Sequence, residues 1–281
     1  MSRLAFLLYG CLLLDVAQAA DPDQITQRLD ADFSAGRPLV AHVVVALCDN
    51  IHQGIVPVSA ALGDGANPRT NLYWGALYGV RTYFRRSSRW EVVPIPPSRD
   101  ARVLDRVLFR SEVVREGRRG EVFLLAEAWN GRYIAAAIRH FLEINRGEHG
   151  ERLRVGERQI DVGGLAHVAA FVGHNGLMDF AAPSLPRSAV KASPHASVVL
   201  ACQSDAYFTP LLREDSMPLL TTTGLMAPEA YTLEAALTSW FSGQGAEAVR
   251  RSAAGAYARY QHTSAQGALR LFRTSNPSAL P

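Results

Sequence analysis

The chain has 281 residues, enough for a sizeable core in one large domain or two small ones. Hydrophobic residues make up 48% and charged residues 20%, the balance of a globular protein, which excludes a disordered chain. The net charge of +3 is weak and the arginines are scattered, so Arg115, Arg118 and Arg119 read as a solvated turn and no nucleic-acid partner is expected.

At the N-terminus, Arg3 precedes an apolar run from Leu4 to Leu14. Ala17-Gln18-Ala19 then supplies a small-x-small cleavage pattern. The run is too short for a bilayer, which takes about 20 residues. Residues 1–19 are therefore expected to be a signal peptide, although Asp15 departs from the ideal. The exported chain is expected in the periplasm or outside the cell, with no transmembrane segment. Residues 20–274 are expected to form a single α/β domain and 275–281 a loose tail.

Ile25 to Phe33 reads as a short helix. Leu39 to Leu47 is a continuous apolar, β-branched run, the pattern of a strand buried on both faces. A loop rich in Gly, Asp, Asn and Pro follows from Asp49 to Arg69. Thr70 or Asn71 is then placed to cap a helix through Tyr83. Trp90 to Ile95 and Val103 to Phe109 read as strands, Arg115 to Gly120 as a charged turn, and Glu121 to Glu127 as another buried strand. Asn130 is expected to cap a helix through Ile144. Arg152 to Val162 alternates around Gly156 and predicts a surface hairpin. Leu165 to Val172 and Ser197 to Ala201 are further buried strands. Pro210 fits the first turn of a short helix, Pro218 to Thr223 is a last strand, and Leu233 to Phe241 and Ala246 to Tyr260 are closing helices. Strands alternating with helices predict a mostly parallel sheet covered on both faces.

In such sheets ligands bind beyond the carboxyl ends of the strands. Cys48, His174 and Cys202 each follow an apolar run at that end. A cysteine needs a base or a positive neighbour to act as a nucleophile near neutral pH, because its free pKa is about 8.5, and histidine supplies one. The backbone amides of Asn175 and Gly176 are placed to face a developing oxyanion. With export, Cys48 and Cys202 form either a disulfide or free thiols. No phosphate-binding loop or dinucleotide fingerprint follows the first strand, and Asp49, His52 and Asp64 match no metal motif, so no cofactor or metal is expected.

Phe171-Val172-Gly173-His174-Asn175-Gly176 and Val198-Val199-Leu200-Ala201-Cys202-Gln203-Ser204 resemble the histidine and cysteine strands of the caspase-like cysteine peptidases, the group of caspases, legumains, gingipains and CHAT domains. The resemblance implies a three-layer sandwich around a mostly parallel six-stranded sheet. It implies a secreted peptidase acting on a peptide or protein substrate, with Cys202 as nucleophile, His174 as proton donor and Asn175 or Gly176 in the oxyanion hole. It also implies a substrate pocket at Asp49 and Gln203. In the family's strand order the histidine strand separates the first strand from the cysteine strand. Cys48 and Cys202 would then lie about 10 Å apart, beyond the roughly 7 Å limit for a disulfide. Two features depart from the family. Asn175 stands where Gly usually follows the His, and Cys202 follows His174 by only 28 residues. They leave an alternative, a caspase-like binding or scaffold domain of the cell envelope that has lost catalysis.

Overall fold

The computed structural model describes residues 21–186, 188–212 and 216–274. The expected signal peptide and C-terminal tail lie outside them. Ten strands are formed: β1 (Leu39–Ala46), β2 (Glu91–Val93), β3 (Val103–Arg115), β4 (Arg118–Trp129), β5 (Glu151–Val155), β6 (Arg158–Val162), β7 (Val168–Val172), β8 (Ala196–Leu200), β9 (Met217–Thr222) and β10 (Phe272–Arg273). Eight build one sheet in the order β10-β9-β8-β7-β1-β4-β3-β2, and β5-β6 is a separate hairpin. Neighbours from β9 to β4 run parallel, while β10, β3 and β2 pair antiparallel with the strand beside them. The protein is thus α/β with a large, mostly parallel sheet, of eight strands where six were expected.

Every residue of β1, β7, β8 and β9 is buried, because each of these strands has neighbours at both edges and cover on both faces. The helices are α1 (Pro22–Ser34), α2 (Val80–Arg86), α3 (Ile134–Asn145), α4 (Ser204–Tyr207), α5 (Thr209–Leu212), α6 (Ala230–Phe241), α7 (Ala246–Tyr260) and α8 (Ala265–Leu271). One face of the sheet presents Leu39, Ala41, Val43 and Val45 to a core shared with α1, α6 and α7. On the other face Val44, Ala46, Phe171 and Val199 pack with Ile138 and Phe141 of α3 and with Phe208. Val40, Leu108, Phe123 and Leu125 pack beneath the β5-β6 hairpin. Among the described residues no helix is long and apolar enough to cross a membrane.

Two further expectations are corrected. The helix expected from Thr70 to Tyr83 is a series of turns until Val80. Asn71, expected to cap it, instead bonds the backbone N–H of Cys48 (3.1 Å) and of Tyr73 (3.1 Å) and donates to Cys48 O (2.8 Å). The charged turn from Arg115 to Gly120 is mostly strand. Only Glu116 and Gly117 turn, both at positive φ, so β3 and β4 close a two-residue hairpin whose charged residues extend both strands.

Candidate active site

Register places the candidate residues together. Val45, Val172 and Leu200 are partners across β1, β7 and β8, so the three carboxyl ends form one row. Gly173 turns the chain out of β7 at φ +154, and a Cβ there would lie 2.8 Å from Ala46 O. Its N–H still donates to Leu200 O (3.2 Å), carrying the pairing past the strand ends. His174 and Cys202 come next, and Asn175 Nδ2 donates to Cys202 O at 2.7 Å, pinning the two loops side by side.

The two side chains have other partners. His174 is 8% exposed, and its Nε2 lies 2.7 Å from Asp179 Oδ2, so the ring N–H donates to the carboxylate. Asp179 also accepts the Gly54 N–H (3.0 Å). Burial pushes the Asp179 carboxyl up, but the His174 and Gly54 bonds outweigh it and its pKa is lowered. Nδ1 of His174 makes no hydrogen bond among the described residues. Cys202 is partly exposed, and its Sγ accepts the Met226 N–H (3.4 Å) and donates to Met226 O (3.6 Å). Among the described residues no hydrogen bond joins His174 to Cys202.

The expected oxyanion donors differ. Gly176 N–H is tied to His174 O (3.1 Å), whereas Asn175 N–H makes no hydrogen bond among the described residues. Gln203 is left-handed (φ 51), a conformation uncommon outside glycine, and its N–H is held by Gly224 O (2.9 Å). It makes the sharp turn from Cys202 into α4. Asp49 is only 5% exposed. Its carboxylate accepts the Ile51 N–H (2.8 Å) and His52 N–H (3.1 Å) and meets His52 Nδ1 (2.9 Å), so it organises its own loop. Asp64 accepts the Ala66 N–H in a separate turn (3.0 Å).

Cys48 and Cys202 are both free thiols, with β7 standing between their strands. Cys48 is fully buried, and burial pushes its thiol up to about 11 against the opposing hydrogen bond of Tyr73.

Asp179 was hidden in the sequence because its bond to His174 depends on the 3-10 turn Gly176–Met178 between them. A second polar cluster was also missed. His42 and Glu127 point from β1 and β4 into the seam between the α3 core and the hairpin core. Glu127 lies 3.3 Å from His42 Nε2, 3.1 Å from Arg106 Nε and 3.8 Å from His140 Nε2. Burial raises its pKa, but its neighbours, His42 first and then Arg106 and His140, outweigh it and hold it at about 2. Burial, with His42 alongside, pushes His140 down to about 3. The cluster's members come from β1, β3, β4 and α3, so no local spacing in the sequence marks them. Comparisons with protein-family models, curated proteins and solved structures gave no significant match.

Proposed function

We propose that the chain is an exported caspase-like cysteine peptidase, hydrolysing peptide bonds with Cys202 and His174. The observation that carries this reading is the Asn175–Cys202 bond, which holds a strand-end histidine loop against a strand-end cysteine loop. In this reading β4, β1, β7, β8, β9 and β10 are the six-stranded caspase-like sheet within a three-layer sandwich, and β3 and β2 extend its edge. Cys202 Sγ attacks the scissile carbonyl carbon to form a thioester. His174, oriented by Asp179, takes the proton from the Cys202 thiol and passes it to the leaving amine as the scissile C–N bond breaks. The Asn175 amide faces the oxyanion, and water then releases the acyl group. Ile51, Val56, Met178 and Leu225 stand exposed on loops around the strand ends, suiting them to apolar substrate side chains.

The test is hydrolysis of a fluorogenic peptide library by the wild type and Cys202→Ala. Hydrolysis lost in the variant supports the reading; hydrolysis that persists unchanged overturns it. A second reading rests on the separate engagement of His174 with Asp179 and of Cys202 with Met226. It is a non-catalytic binding domain of the cell envelope, and a wild-type chain inert toward the whole library favours it.

A further inference from the structure

We propose that His140, Glu143 and His149 bind a first-row divalent cation of the zinc type. The three side chains offer two imidazole nitrogens and a carboxylate oxygen, all within 4.8 Å of one another. His140 and Glu143 are three residues apart on α3 and so share a face. His149 reaches them from the loop after the helix. That loop is fixed by Glu148 N–H to Glu143 O (3.0 Å) and Gly164 N–H to Glu148 O (2.9 Å), with His149 itself left-handed at φ 54. A Cβ at Gly163 would fall 1.8 Å from His149 O, so the loop is seated tightly on the turn beneath it. His149 Nε2 already lies 2.8 Å from Glu143 Oε2.

The His140 ring is held by packing, with centroids 4.9 Å from Trp129 and 4.4 Å from His149. It makes no hydrogen bond among the described residues, and its Nε2 also lies 3.8 Å from Glu127. A neighbouring trio, His42, Glu127 and His140, is equally compact, but proton placement excludes His42 as a ligand. Its Nδ1 accepts the Gly163 N–H (2.9 Å), so the ring proton sits on Nε2, the atom facing Glu127. His42 and Glu127 instead back the site, with Arg106 balancing the Glu127 charge. Side-chain exposures of 18% for His140, 21% for Glu143 and 44% for His149 leave one side open to water. Two imidazoles and a carboxylate with water as fourth ligand suit zinc; calcium and magnesium take oxygen ligands.

The test titrates Co2+ into untagged, chelator-treated protein, reading the visible ligand-field band, and then displaces it with Zn2+. One equivalent of Co2+ is expected to bind and to be displaced. His149→Ala and Glu143→Gln are each expected to weaken Co2+ binding at least about tenfold, since even groups behind a metal's ligands typically contribute 10–100-fold. His52→Ala leaves it unchanged. The absence of stoichiometric uptake by the wild type overturns the proposal, as does unaltered affinity in both ligand variants.

Discussion

Cys48 and Cys202 are expected to differ sharply toward iodoacetamide. Cys48 is sealed beneath the loop after β1, bonded to Tyr73, and raised to about 11. At pH 8 roughly 0.1% of it is thiolate, against roughly a quarter of an unperturbed thiol of pKa about 8.5. Ionisation alone therefore slows Cys48 about 200-fold, and burial slows it further. Cys202 is partly exposed, so the reagent reaches its sulfur. Alkylation for minutes at pH 8 under native conditions, followed by peptide mapping to resolve Cys48, Cys202 and Cys11, is expected to label Cys202 well before Cys48. Equal labelling, or faster labelling of Cys48, would refute the reasoning. A mapped Cys48–Cys202 disulfide would refute the strand-separation argument as well.

Asn71→Ala removes four hydrogen bonds, three buried ones to Cys48 and Tyr73 and a part-buried one to Asp64. It is expected to cost about 3 kcal/mol in urea unfolding, since each buried group left unpaired costs about 1–3 kcal/mol. Asp179→Ala is expected to lower kcat about 100-fold with KM little changed, and to shift the pH profile of peptide hydrolysis, because His174 loses the partner that orients it. Glu127 is depressed from 4.5 to about 2, so its contribution is present above pH 4.5 and is lost as pH falls toward 2. That shift corresponds to about 3 kcal/mol. Glu127→Gln is therefore expected to destabilise the protein at pH 6, with the difference from wild type closing by pH 2 in denaturant titrations. His140, depressed from 6.5 to about 3, remains neutral in the fold while the unfolded chain gains a proton, so stability also declines as pH falls below 6.5. His140→Gln is expected to flatten that part of the profile.

The parallel strands were legible because burial on both faces leaves a long apolar run, as in Leu39–Ala46. The positions of His174 and Cys202 were legible for the same reason, since a run's end marks a strand's end. The hairpin of β3 and β4 was legible only at its buried part. Its far end alternates charged and apolar residues, and Arg115 and Arg118 look like turn residues until their strands pair. The helix expected near Asn71 is a series of turns instead; Asn71 Oδ1 does accept the Tyr73 N–H as a cap would, but the same side chain also ties the segment to Cys48. Asp179 and His149 carry no local signal. One depends on a single 3-10 turn, the other on a loop folding back across α3. Two-residue β10 is too short for any periodicity to show.

Both outer strands of the sheet are brief. β10 has two residues and β2 three, and Pro94, Pro96 and Pro97 follow β2 directly. A wide sheet ending in long bare strands is a template on which another copy can add backbone hydrogen bonds. Here each outermost strand is only two or three residues long, and proline, which has no N–H to donate, ends β2, which covers only Leu108 to Arg110 of β3. A copy adding at β2 or β10 would find only two or three residues of ladder to extend, and the longer stretches open to it are the two ends of β3 that β2 leaves uncovered.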